Sequence, residues 1–385
     1  MRWSSRWRYL RQWPRLAARI AFGTGYDYTF DLLPMHVPQM PPRRRLNLLR
    51  AGLNLAYRRC HPWSWPIHLK AELTNYCNLR CPVCPVGSGD MTREPMNMDM
   101  GLFEQLMEEV GPYILRATLF VWGEPLLHPD FARAVSITRR HGVIPVFSTN
   151  GQNLNEPSVR EALIEEPADY LIVALDGMTD ETNAQYRLGA RVAPALEGVR
   201  WLADEKKRTG RRRPVLVLRF IVMKHNEHEV SLLPRFAKDN GFDMLSLRYL
   251  AVRDMDQTEF EARVPQSEQF RGYRYRDGVR VRGEHYVCQH AFLFPAVLAD
   301  GTVVACDDDY NGAHPYGRVG VDGSFRDIWF GERAAAVRRK IRHERPTFAF
   351  CRNCPAADRP DSVGSARVWD FRRSAQPRGP GREDW

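Results

Sequence analysis

No apolar run in the sequence approaches the ~18 residues that a membrane-spanning helix needs. The first twenty residues also lack the long apolar core of a secretory signal. Acidic residues are almost missing from the N-terminal part: residues 1–59 hold 12 arginines and only Asp27 and Asp31. The rest of the chain is charge-balanced, so the whole net charge of +10 belongs to this segment and says nothing about the body that follows. No compact segment reads as a peptide-recognition domain. Cysteine is not scarce. Eight are present, two pairs of them as C-x2-C, and that spacing reads as metal or cluster ligation in a reducing compartment rather than as disulfides.

Three of these cysteines organise the chain: Cys77, Cys81 and Cys84, in the run Thr74-Asn75-Tyr76-Cys77-Asn78-Leu79-Arg80-Cys81-Pro82-Val83-Cys84. They lie on a loop leaving an apolar strand, and thiolates so close together call for a soft metal or cluster. Apolar runs recur at 67–73, 115–121, 143–148, 169–175, 214–222 and 243–250, separated by stretches of helical periodicity such as Leu102, Phe103, Leu106, Met107 and Val110. Strands alternating with helices mean βαβ units and a parallel sheet, with chemistry beyond the carboxyl ends of the strands. Each polar motif follows an apolar run: Trp122-Gly123-Glu124-Pro125 after the second, Ser148-Thr149-Asn150-Gly151 after the third, Asp176-Gly177 after the fourth, and Lys224, His225, Asn226 and His228 after the fifth. The two histidines lack a regular ligand spacing and read as loop or substrate contacts.

A second cysteine set, Cys288, Cys306, Cys351 and Cys354, follows a charged segment over 251–285. An apolar run, an Asp300-Gly301 turn and another apolar run predict a β-hairpin delivering Cys306, and one helix is expected from Phe325 to His343. Four thiolates can close an iron–sulfur cluster or a zinc site. Asp307, Asp308 and Asp309 read as a solvated turn, with a base or substrate contact as the alternative.

The C-x3-C-x2-C spacing within Asn75-x-Cys77-Asn78-Leu79-x-Cys81 resembles the radical SAM superfamily. The resemblance implies a partial (β/α)6 TIM-like barrel in which Cys77, Cys81 and Cys84 hold three irons of a [4Fe-4S] cluster. The fourth iron then chelates S-adenosylmethionine (SAM), whose reductive cleavage gives a 5′-deoxyadenosyl radical. Trp122, Gly123 and Glu124 look like the family's Gly-Gly-Glu motif, with a tryptophan at the first glycine, and would receive the methionine amino group. Ser148 and Asn150 would face the ribose or the methionine carboxylate, Arg187 would pair with that carboxylate, and Asp176 would contact ribose or substrate. The second set resembles the twitch and SPASM extensions, most of all those of aminocyclitol dehydrogenases, and implies one auxiliary [4Fe-4S] cluster. The implied activity is hydrogen abstraction with two-electron oxidation, the auxiliary cluster accepting an electron. Epimerisation and peptide modification are the alternatives within the family, and a non-catalytic iron–sulfur or zinc protein is the alternative outside it. The implied reductant is flavodoxin or ferredoxin.

The organisation expected is a basic extension over 1–65, a barrel over 66–250, an exposed connector over 251–285, the auxiliary domain over 286–358 and a poorly ordered tail over 359–385. In the extension, Leu46, Leu49, Leu53 and Tyr57 form one helical face between arginines. That face suits packing on the barrel or peripheral contact with an anionic membrane, and no nucleic-acid partner is expected. The expected location is cytoplasmic, at most peripheral at the inner membrane face. The expected substrate is a small, sugar-derived or lipid-linked molecule. Anaerobic reconstitution should load two clusters, about eight irons per chain by iron analysis; one zinc per chain with no iron would refute this reading.

Overall fold

The structure is a computed structural model of the full chain. It describes residues 14–251, 261–276, 279–281, 288–352, 354, 356, 364–373, 377 and 379. The arginine- and tryptophan-rich start, Arg2 to Trp13, lies outside these.

The six apolar runs become six parallel strands: β3 (His68–Ala71), β4 (Arg116–Thr118), β5 (Ile144–Thr149), β6 (Tyr170–Ala174), β7 (Val215–Val222) and β8 (Met244–Tyr249). They pair in sequence order, as right-handed βαβ connections with helices on one face dictate. Side chains alternate across the sheet. On β7, Leu216, Leu218, Phe220 and Val222 join the cluster that packs under the helices, while Val215 and Val217 turn to the concave side.

The sheet does not stop at these six. The hairpin of β9 (Ala296–Val297) and β10 (Thr302–Val304) adds to it, β9 pairing parallel with β3, and β11 (Gly317–Arg318) follows β10. The Asp300-Gly301 turn is as expected, with Gly301 at φ 88°. The auxiliary-cluster segment is therefore built on the barrel sheet itself. At the other edge β12 (Ser365–Asp370) pairs antiparallel with β8. This corrects the expectation of an unstructured tail: Ala366, Val368 and Trp369 are buried, and a strand edge with unpaired backbone groups gains by being covered.

The N-terminal extension is a third correction to a modular layout. Strands β1 (Tyr26–Phe30) and β2 (Leu33–Val37) form a hairpin whose Leu33, Met35 and Val37 pack with Val146, Ile172, Val217 and Met244 on the concave side of the sheet. The hairpin plugs the partial barrel. Its tip, Asp31-Leu32, has left-handed backbone at both residues, as a tight two-residue turn requires. Asp31 there is in ion-pair contact with Arg248 and, at 3.6 Å, with Arg219, and accepts a hydrogen bond from the Ser365 amide at 2.8 Å. Lower down, the Arg116 guanidinium lies 3.8 Å from the Phe30 ring centroid.

Helix α1 (Pro42–Tyr57) follows. It buries Arg44, Asn47, Leu48, Ala51 and Asn54, and leaves Leu46, Leu53 and Tyr57 exposed. Of the expected apolar face, Leu49 packs against the concave-side cluster, while Leu46, Leu53 and Tyr57 point outward. The reason is polar: the loops beneath present carbonyls without strand partners, and Arg44 donates to Gly142 (2.8 Å), Gly111 (3.0 Å) and His141 (2.9 Å).

Two smaller expectations also change. The 325–343 helix is two, Phe325–Phe330 and Glu332–His343, broken at the extended Gly331 (ψ 166°). Within the connector, Val264, Phe270 and Tyr273 are buried, so its described part is not simply exposed. Asp31→Ala should destabilise the chain by about 3 kcal/mol in urea unfolding, because it removes the counter-charge beside the largely buried Arg219.

Candidate active site

The cysteine loop leaves the carboxyl end of β3, as the parallel-sheet rule requires. The following strands bring their motifs against it. The Glu124 amide donates to the Tyr76 carbonyl at 2.8 Å, so the Trp122-Gly123-Glu124 loop lies directly on the cysteine loop. Gly123 has φ 79°, and a Cβ there would sit 2.5 Å from the Thr74 carbonyl oxygen and 2.8 Å from that of Tyr76. Only glycine fits that position.

Glu124 is buried and accepts from the Asn150 amide (2.7 Å) and the Leu126 amide (3.1 Å). Burial pushes its carboxyl up to about 7, against the pull of those amides. The Asn150 side chain donates to Asn78 Oδ1 at 2.7 Å and approaches Cys77 Sγ at 3.6 Å. Ser148 is half-buried beside it on β5.

Asp176 and Arg187, read separately from sequence, are brought together at 2.7 Å. Asp176 is fully buried, with its Oδ1 taking the Ile221 amide at 2.6 Å. Burial raises its carboxyl, and Arg187 opposes that. The Arg187 loop is pinned to the cysteine loop by the Arg80 amide donating to the Leu188 carbonyl at 3.1 Å. His225 and His228 belong to no metal-ligand grouping among the described residues.

Sequence reasoning missed what links the front site to the second cysteine set. Trp122 Nε1 donates to the Asp307 carbonyl at 2.7 Å, and its ring lies edge-on to Tyr310 at 6.3 Å. Lys70, on β3, bonds Asp307 Oδ1 at 2.6 Å. Burial would raise the Asp307 carboxyl, but Lys70 and His290 hold it below the usual carboxylate range. Glu72, also leaving β3, pairs with Arg93 at 2.7 Å and accepts the Ala299 amide at 3.0 Å. The aspartate run is not a solvated turn: Asp309 is buried and accepts the Ala313 and His314 amides, each at 2.9 Å. No sequence signal marks Lys70 or Arg93, since each is an ordinary cation until the second half of the chain folds against it. Arg219 and Asp31 were missed for the same reason.

The donor sets suit clusters. Burial pushes the Cys77 thiol up to about 11 and that of Cys81 to about 12, so metal must displace the proton for the thiolate to form. A tetrahedral zinc with Zn–S bonds of about 2.3 Å draws its sulfurs to within about 4 Å of each other. Among the described residues no three cysteine sulfurs lie within 4.8 Å of one another; the one grouping that close is His290, Cys306 and Asp307.

Comparison with known proteins agrees. Residues 71–233 match the model of the radical SAM superfamily, and residues 288–355 match an iron–sulfur cluster-binding domain, SPASM. The chain is 30% identical over 182 residues to pre-heme d1 synthase of Dinoroseobacter shibae, covering 46% of this chain and 42% of that one. It is 32% identical over 143 residues to the mycofactocin maturase MftC of Mycobacterium ulcerans, covering 37% and 38%. It thus spans about half or less of the curated relatives it matches. Streptococcus suis SuiB bound to S-adenosylmethionine superposes with a TM-score of 0.55 at 14% identity, over 83% of this chain and 79% of that one, a likeness of fold. Residues 71–233 are thus a radical SAM domain and residues 288–355 a SPASM-type iron–sulfur cluster-binding domain. The chain's cofactors are SAM with a SAM-binding [4Fe-4S] cluster, and auxiliary iron–sulfur chemistry in the extension.

Gly123→Ala should cost the front site and spare the rear one. Reconstituted iron should fall by about half and SAM binding should be lost, with thermal unfolding little changed; retention of full iron would show that the loops are not in contact.

Proposed function

We propose that this chain is a radical SAM oxidoreductase that takes a hydrogen atom from its substrate and passes an electron inward to one auxiliary [4Fe-4S] cluster. The observation that carries the reading is the bridge from the SAM-motif loop to the residue after Cys306, the 2.7 Å bond from Trp122 to Asp307. It holds the two cysteine sets to one scaffold, as electron transfer between them demands.

Cys77, Cys81 and Cys84 would hold the front cluster, and Cys288, Cys306, Cys351 and Cys354 the auxiliary one. When bound, the reduced front cluster and SAM supply the 5′-deoxyadenosyl radical. Glu124 and the Trp122–Gly123 backbone receive the ammonium of SAM, with Glu124 as the counter-charge. Asn150 orients Asn78 beside Cys77 and, with Ser148, faces the ribose. Arg187 takes the carboxylate of SAM. Asp176 is a positioning residue: its Oδ1 accepts the Ile221 amide, its Oδ2 forms the ion pair with Arg187, and it acts by holding Arg187 in place. Val264 and Tyr273 of the connector pack with Leu79 and Cys81, which keeps water from that flank.

The floor of the site is the hairpin tip. Arg219 follows Val215 and Val217 on the concave side of β7 and reaches Asp31. Arg219 and Asp31 give a polar floor suited to a hydroxylated, sugar-derived small molecule, with flavodoxin or ferredoxin as electron source. A second reading, peptide modification, draws on the names of relatives such as the PqqA peptide cyclase of Gluconobacter oxydans, 24% identical over 205 residues.

With dithionite and SAM, the anaerobic protein should form 5′-deoxyadenosine. Cys81→Ala should abolish it, at least a hundredfold. Cys354→Ala should retain SAM cleavage while losing the auxiliary cluster's spectroscopic signal. Cleavage unaffected by Cys81→Ala would overturn the assignment.

A further inference from the structure

Helix α1 is amphipathic the wrong way round for a helix that only packs. Its inner face buries three hydrogen-bonded polar side chains, Arg44, Asn47 and Asn54, beside Leu48 and Ala51. Besides the three bonds from Arg44, Asn47 donates to the Pro66 carbonyl (3.1 Å) and accepts from the Trp65 amide (2.8 Å), while Asn54 bonds Ser64 and accepts the Trp63 amide at 2.9 Å. Its outer face carries the apolar groups. Leu46 is 48% exposed, Leu53 37% and Tyr57 65%. Arg43 and Arg50 are exposed between them. Positions 43, 46, 50, 53 and 57 alternate by three and four and so form one stripe along the helix.

The stripe continues past the helix. Trp63 is 47% exposed, lies edge-on to Tyr57 with centroids 6.4 Å apart, and carries the Arg59 guanidinium 3.9 Å over its ring. No acidic residue occurs from residue 32 to 71. The two acids upstream are engaged, Asp27 with His36 and Asp31 with the inward arginines.

We infer that this stripe docks the protein on an anionic phospholipid surface. Leucines reach the acyl boundary, tyrosine and tryptophan sit at headgroup depth, and arginines pair with phosphate. Charge excludes the competing occupants. A second copy would set Arg43 and Arg50 against the same arginines with no carboxylate on the helix to relieve them; the exposed Glu332 at the far end is paired with His61. A nucleic acid would meet the arginines but has no use for Leu46 and Leu53. The docking face also has a direction. Arg44 holds the loops at Gly111 and Gly142, which precede β4 and β5, whereas the cysteine loop lies beyond the carboxyl end of β3. The stripe is at the opposite end of the barrel from the reaction mouth, so the docked protein opens toward water. A lipid-linked substrate held in the same bilayer would face the wrong end.

The inference stands apart from the chemistry proposed above, and co-sedimentation of the full chain with vesicles tests it. The protein should sediment with phosphatidylglycerol–phosphatidylcholine vesicles, release with salt, and ignore phosphatidylcholine alone. Arg43→Gln with Arg50→Gln should weaken binding roughly 30-fold, at about fivefold per arginine. Leu46→Ser with Leu53→Ser should weaken it at least tenfold. All four side chains face solvent, so thermal unfolding should not move. No sedimentation would overturn the inference, as would binding unchanged in both variants, or a wild-type dimer that the leucine variant converts to monomer.

Discussion

Strand β3 is the constraint on which the rest depends. Its carboxyl end launches the cysteine loop, its free edge receives β9, and its Lys70 and the Glu72 that follows it grip the loop after Cys306 and the amide of Ala299. A backbone ladder is far stiffer than a linker between domains. Two sulfur sets more than 200 residues apart in sequence are thereby held to one sheet. A shared sheet fixes the separation between them.

The second consequence of building on one sheet is that its ends must be finished. A six-stranded partial barrel leaves two edges and an open base. The chain closes all three with segments that look dispensable in sequence. The extension plugs the base with the β1–β2 hairpin, the auxiliary hairpin covers one edge, and the C-terminal strand covers the other. Asp31 joins two of these closures, since it meets Arg219 and Arg248 inside the barrel and caps the start of β12. The expected modular division into extension, barrel, auxiliary domain and tail thus describes the order of the chain and not the way it is held together.

Helix α1 shows how one helical periodicity can be divided between core and surface. The leucines do lie on one face. What sets the helix's orientation is the need of backbone carbonyls at the base of the barrel for donors, which Arg44 meets with three bonds. Burying a guanidinium is favourable only when its donors are matched. With Arg44 committed to these carbonyls, Leu46, Leu53 and Tyr57 are left exposed.

The sequence alone determined the parts whose physics is local. The six strand segments follow from apolar runs that must be buried on both faces, the Asp300-Gly301 hairpin from a turn that needs positive φ, and the radical SAM and SPASM domains from the thiol spacings. The tertiary structure decided whatever depends on partners distant in the chain. Asp176 and Arg187 became a pair, Trp122 became a bridge to Asp307, Lys70 and Asp31 became counter-charges, and the tail became a strand. The reason is that a charge or an indole N–H has no role until its partner is placed beside it. That placement is set by strand pairing across hundreds of residues, and no window of sequence contains it.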